Sequence, residues 1–125
     1  MMQGIVDGLV ARMAVKIRGS DNRFHTIDAI VDTGFDGWLA MPPNSLETLG
    51  ASWASEGRGI LADGSHSRFD IYAVRIMWHG RSRTIPLYEL GTEILIGMAL
   101  LTGSEINLKV RPGGKVTIKP MRSRR

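Results

Sequence analysis

Apolar and polar residues alternate with period two over most of the chain, which predicts an all-β fold. Fifteen Gly and five Pro in 125 residues supply the turns that such a fold needs. Only one stretch, Asn44 to Gly50, carries the punctuation of a proper helix. The length suits a single domain, set here at 1–120, followed by a basic tail over 121–125. With 43% hydrophobic and 22% charged residues, the composition is that of a chain able to bury one modest core.

The elements follow in order. Val10 to Ile17 reads as a strand with Val15 and Ile17 on one face, and Ser20-Asp21-Asn22 turns it into a second strand, Phe24 to Val31. Gly37 to Met41 is a short apolar strand stopped by Pro42-Pro43. The helix over Asn44 to Gly50 is expected to have an Asn or Ser cap, an acidic first turn and a terminal Gly. Gly59 to Ala62 and Ser67 to Trp78 flank Asp63-Gly64, a pair that tolerates positive φ and so favours a tight hairpin. Another turn at His79-Gly80-Arg81 leads to a strand over Thr84 to Leu90. Ile94 to Gly97 is a short buried strand, and Met98 to Leu101 a helical turn ending at Gly103. Ile106 to Val110 and Val116 to Lys119 pair around Pro112-Gly113-Gly114. The sum is about eight strands and one or two small helices, in a barrel or folded sheet.

Composition removes several kinds of chemistry. There is no Cys, which excludes disulfides, thiolate metal sites and cysteine nucleophiles. The longest apolar run, Ile94 to Leu101, falls far short of the ~20 residues that span a bilayer, and no signal peptide is evident at the start, so the expected location is cytoplasmic. Sixteen basic residues against twelve acidic give +4, yet Arg122, Arg124 and Arg125 sit in the last four positions. The body is thus nearly balanced, and aromatic residues are only 6%, which argues against a stacking platform for nucleic acid.

Other motifs read as architecture. Gly57-Arg58-Gly59-Ile60-Leu61-Ala62 resembles a dinucleotide fingerprint but runs into a strand and hairpin instead of opening a helix. Gly113-Gly114-Lys115 lacks the Walker spacing and is a turn. His25, His66 and His79 are not at helical ligand spacing, so no metal site and no cofactor are expected. Without Gly-x-Ser-x-Gly there is no nucleophile elbow. Trp38, Trp53 and Trp78 are expected to be core or partly buried, and the seven Met to fill core gaps.

The most informative run is Ala29-Ile30-Val31-Asp32-Thr33-Gly34-Phe35-Asp36-Gly37. An apolar strand delivers a carboxylate to its end, where loss of water raises a carboxyl pKa unless something compensates. Gly34 lets the backbone pass close to whatever Asp32 faces. An Asx-type turn is the plain structural use of such a residue. Asp28, four residues earlier, shares its strand face, either as a satellite acid or as an exposed edge carboxylate.

The order of strand, Asp32-Thr33-Gly34, short strand, helix, long hairpin and then Leu95-Ile96-Gly97 entering a helical turn resembles the retropepsin-like aspartic proteases, a clan with retroviral members and small bacterial relatives. The resemblance runs from about Val10 to Lys119. Retroviral members carry an Arg after the apolar-apolar-Gly unit where this chain has Met98.

What the resemblance implies is a closed β-barrel forming half of a two-fold dimer. Aspartic proteolysis needs two carboxyls sharing a proton, and this chain has one Asp-Thr-Gly, so a homodimer would bring Asp32 against its mate. Asp32, Thr33 and Gly34 would be the catalytic motif, Thr33 bonding across the axis, and Gly34, Phe35 and Asp36 would line the substrate groove. Leu61, Ala62, Asp63 and Gly64 would form a flap over an extended peptide bound by strand addition. Leu95, Ile96 and Gly97 would support the catalytic loop from beneath. The implied activity is that of an aspartic endopeptidase. The alternative is a catalytically weak dimerisation or peptide-binding module.

Overall fold

The computed structural model describes residues 1–60 and 63–122. Leu61 and Ala62, and Arg124 and Arg125 of the expected tail, therefore lie outside the described residues. Ten strands and two short helices follow one another: β1 (Met2–Asp7), β2 (Val10–Arg18), β3 (Phe24–Val31), β4 (Leu39–Met41), α1 (Pro43–Leu49), β5 (Ser52–Ile60), β6 (His66–Trp78), β7 (Arg81–Glu89), β8 (Leu95–Ile96), α2 (Met98–Leu101), β9 (Ser104–Leu108) and β10 (Lys115–Pro120).

The alternation that marked β2 does its work in the core. Met13, Val15 and Ile17 are buried, while Ala14 and Lys16 face outward. The same inward face continues on β6 with Val74, Ile76 and Trp78, and on β7 with Ile85 and Leu87. Burying an Ile or Leu is worth about 1.5–3 kcal/mol, against ~0–1 kcal/mol for a surface ion pair. Arg12–Asp7, Arg12–Asp28 and Lys119–Glu105 are all exposed pairs of that weaker kind. Asp28 thus stands as an exposed carboxylate engaged by Arg12 at 3.2 Å.

One ten-stranded sheet runs β5-β6-β7-β4-β8-β3-β2-β1-β10-β9. β2 also meets β6, with Ile17 opposite Ile76 and Arg18 opposite Arg75. The pairings β2–β3–β8–β4–β7–β6 therefore return to β2 as a circuit. Most pairs are antiparallel, but β3–β8 and β4–β7 are parallel. β8 is inserted between β3 and β4, so the chain leaving β3 must travel around the end of β8 before it pairs there. That detour is the loop containing Asp32.

Three elements and one tryptophan differ from the sequence reading. β1 was not expected; of its residues only Val6 is buried and Ile5 faces solvent, so its sequence carries little apolar alternation. Helix α1 starts at Pro43 with Pro42 as its N-cap, with no side-chain cap and no acid in its first turn. Proline suits that position because its ring presets φ and its missing N–H would be unsatisfied anyway. The expected Gly50 does close the helix, at φ 66°. β5 is a full nine residues, an edge strand exposed along most of its length, so neither face advertises itself in sequence. Trp53, on that edge, is 60% exposed and not part of the core; its indole N–H donates to Asp70 Oδ1 at 3.0 Å. Trp78 is buried and Trp38 half-buried under Arg83, as expected of both.

Among the described residues no helix is long and apolar enough to cross a membrane. No group of three or more His, Cys, Asp or Glu among them could hold a metal ion.

Ile76 is fully buried where β6 meets β2. Ile76→Ala should cost about 2–5 kcal/mol in unfolding free energy, read as a lower urea midpoint at unchanged slope. A shift below ~0.5 kcal/mol would mean that this junction contributes nothing to the core.

Candidate active site

The Asp32 loop is fastened to the segment Ile94–Ala99 by backbone hydrogen bonds on both of its arms. On the incoming arm the Ile30 N–H donates to the Ile94 carbonyl at 2.8 Å, and the Asp32 N–H to the Ile96 carbonyl at 2.9 Å. On the outgoing arm the carbonyls of Phe35, Gly37 and Trp38 accept from the N–H groups of Met98, Ala99 and Gly97, at 2.7–3.0 Å. Within the loop, the Phe35 N–H donates to the Asp32 carbonyl. The Gly34 N–H donates to Asp32 Oδ1 at 2.9 Å, the Asx-type contact open to an Asp in this position.

The fastening needs glycine at position 97, and the ring packing beside it needs glycine at position 37. A Cβ on Gly97 would collide with the Gly37 carbonyl oxygen and stand 2.6 Å from the Phe35 ring. A Cβ on Gly37 would stand 2.5 Å from the Phe35 ring and collide with Tyr88. Leu95 pairs with Ile30, and Ile96 with Val31, directly under the loop, and Ile96 is wholly buried. Asp32 itself is half-buried, while Thr33 and Gly34 are exposed.

Beside the loop lies an open groove of about 950 Å³. Phe35, Asp36 and Gly37 form one wall, β5 and β6 another, and Tyr88 to Gly91 a third. Its apolar part is a chain of rings: Phe35 meets Tyr88 edge-on at 6.0 Å, and Tyr88 meets Phe69 at 5.3 Å. Gly57 stands opposite Phe69 and leaves room for that ring, which a Cβ would approach to 2.6 Å. Charge is mixed at the rim, with Arg58 and Arg68 across from Asp36 and Glu89. Glu89 accepts a 2.7 Å hydrogen bond from the Tyr72 hydroxyl. Chiefly through that bond, with help from burial, Tyr72 is pushed up to about 12. Burial, then the charge of Asp36, pushes Tyr88 up from its usual value.

Of the residues singled out in sequence, Phe35 and Asp36 line the groove. Asp32, Thr33 and Gly34 stand on the adjoining loop and do not line it. Asp63 and Gly64 form the tip of the β5–β6 hairpin, also away from the lining. There Asp63 Oδ1 accepts from both the amide and the hydroxyl of Ser65, which hold its carboxyl below the usual range. Sequence reasoning missed Arg58, Phe69, Tyr88 and Glu89. The one available signal was Gly57-Arg58-Gly59 on a strand, small residues placed where facing aromatic rings need space.

No family model matches the chain, and no curated protein matches it. Among solved structures it is similar to EIAV protease complexed with the inhibitor HBY-793, at 16% sequence identity and a TM-score of 0.49. That likeness covers 72% of this chain and 83% of the other.

Gly97→Ala should destabilise the protein by about 1–3 kcal/mol, because one backbone must give way at the crossing. An unchanged urea midpoint would mean that the two segments separate at no cost. A spectrophotometric titration addresses the Tyr72–Glu89 bond. Because the folded pKa lies above the ordinary tyrosine value of 10.0, the stabilisation is complete below pH 10 and is lost as pH rises through about 12. Glu89→Gln should bring one of the two tyrosines back toward 10, and an unaltered curve would assign the shift to another cause.

Proposed function

We propose that the chain is a cytoplasmic aspartic endopeptidase that works as a homodimer, each copy supplying one Asp32, and that it belongs to the retropepsin-like clan its motifs resemble. The observation that carries this reading is the Asp32 loop: a carboxylate at a strand end, its turn closed by Gly34 and both arms fastened to the Leu95-Ile96-Gly97 segment. Such fastening fits a group that must keep its position through a reaction.

In the proposed mechanism two Asp32 carboxyls share one proton near the dimer axis. The ionised one takes a proton from a water, whose oxygen attacks the scissile carbonyl carbon. The protonated one gives its proton to the carbonyl oxygen, forming a gem-diol. In the collapse the carboxyl that took the water's proton gives it to the amide nitrogen as the C–N bond breaks, and the partner carboxylate takes a proton from a diol hydroxyl, so the dyad again holds one shared proton. Thr33 would hold the two loops level across the axis. Leu61, Ala62, Asp63 and Gly64 would close over the peptide as a flap. Phe35 and Asp36 would meet it in the groove, whose ring-lined wall suits an apolar side chain and whose exposed β5 edge offers backbone groups to an extended chain. The domain would span 1–120, with 121–125 as an appended tail.

One observation favours the second reading, a dimerisation or peptide-binding module with weak catalysis: the groove is lined without Asp32.

The deciding experiment is cleavage of a peptide library over a range of pH by the wild type and by Asp32→Asn, with sedimentation of both. Loss of about 10²–10⁴-fold or more in rate, with the dimer intact in the variant, is the expected result. A wild-type dimer that binds peptides without cleaving them at any pH would select the binding module. A protein that stays monomeric with and without peptide would overturn both readings.

A further inference from the structure

On the β2–β6 junction, Arg18 and Arg75 are direct cross-strand partners. Opposed side chains in an antiparallel pair project to the same side with Cβ atoms about 4.5–5.5 Å apart, and like charges there repel. A neutral polar residue at either position would keep the strand pairing and remove that repulsion. Both arginines line a recess of about 340 Å³, together with Ser20, Asn22, Ser52 and Thr84.

No carboxylate lines this recess among the described residues. Neither arginine makes an ion pair among them. Asp21 does not line the recess, and its carboxylate is engaged by the His25 ring at 2.9 Å and by the Arg23 amide. The Leu49 carbonyl, at the end of α1, is taken by the Ser20 N–H. Arg75 is oriented by its Nε, which donates to Ser82 Oγ at 2.9 Å and leaves the two terminal nitrogens of its fork free of described partners. What remains is two guanidinium groups, side-chain hydroxyls and an amide around a concave surface. That donor set matches a doubly charged tetrahedral oxyanion.

We infer that the Arg18–Arg75 recess is a binding site for a phosphate group, whose charge relieves the repulsion between the two arginines. The site shares no lining residue with the groove beside Asp32, so it stands whether or not the protein is a protease. The ligand is either the free ion or a phosphate carried on a phosphorylated side chain, chemistries the recess would meet with the same groups.

Thermal melts test it, with inorganic phosphate and O-phosphoserine as probes against sodium chloride at matched ionic strength. At probe concentrations tenfold above Kd the wild type should melt about 3 °C higher or more. Arg18→Gln and Arg75→Gln should lose the response, while Arg111→Gln, an equal loss of charge on a distant turn, should keep it. In dilute chloride Arg75→Gln should melt no lower than the wild type, since it removes a repulsion. A stronger response to O-phosphoserine identifies the phosphorylated side chain as the source, and equal responses identify the free ion. A phosphate shift of the same size in both arginine variants would reduce the effect to general salting of the surface and overturn the inference. So would a wild type that does not respond.

Discussion

The seam between the Asp32 loop and the Ile94–Ala99 segment is the constraint on which the rest of the site depends. Five backbone hydrogen bonds cross it, from Ile30 and Asp32 on one arm to Phe35, Gly37 and Trp38 on the other. Each contributes about 0.5–1.5 kcal/mol net, so the seam is not strong bond by bond. Its importance is geometric. Every backbone group committed there removes a way for Asp32 to move, and Gly97 lets the two backbones approach until the bonds can form.

From that seam the groove follows. Phe35 leaves the loop at the point where its carbonyl is held by Met98, and this sets its ring against Tyr88. Tyr88 is in turn carried by β7, whose pairing with β4 is the far side of the same detour. Phe69 completes the ring chain from β6, opposite a glycine on β5. The wall is thus assembled from four separate segments. The strand circuit gives them a common origin, because β7, β4, β8 and β3 are successive neighbours in it.

The parts legible in sequence are those where one residue's chemistry or one strand's alternation suffices. β2 and β3 show their buried faces in the pattern of their own residues, and Gly50 marks the end of α1. Leu95-Ile96-Gly97 was legible as a short buried strand, but its place beneath the Asp32 loop only through the resemblance, since two apolar residues and a glycine have many uses. β1 and β5 were obscure for different reasons: β1 alternates in burial, but the apolar Ile5 on its outer face beside Val6 and Gly4 on its inner face hide the pattern, whereas β5 exposes most of its side chains. The groove was mostly hidden because Phe69, Tyr88 and Glu89 are ordinary strand residues until their partners across three strands are known. Pro43 was a different failure, in which a residue read as a stop for one strand also starts the following helix.

The seam has a kinetic consequence too. Asp32 and its supports are separated by about sixty residues, and pairings of such long reach form slowly because the intervening chain must be closed first. During synthesis the β2–β3 hairpin can form as soon as it emerges, yet nothing anchors the aspartate loop until Leu95 and its followers have appeared. The loop must also admit β8 between β3 and β4, so those two strands cannot settle against each other beforehand. Asp32 is therefore among the first residues made and among the last to acquire a fixed position. A chain interrupted anywhere between Gly34 and Ile94 would carry the full Asp-Thr-Gly sequence without the geometry that gives it meaning.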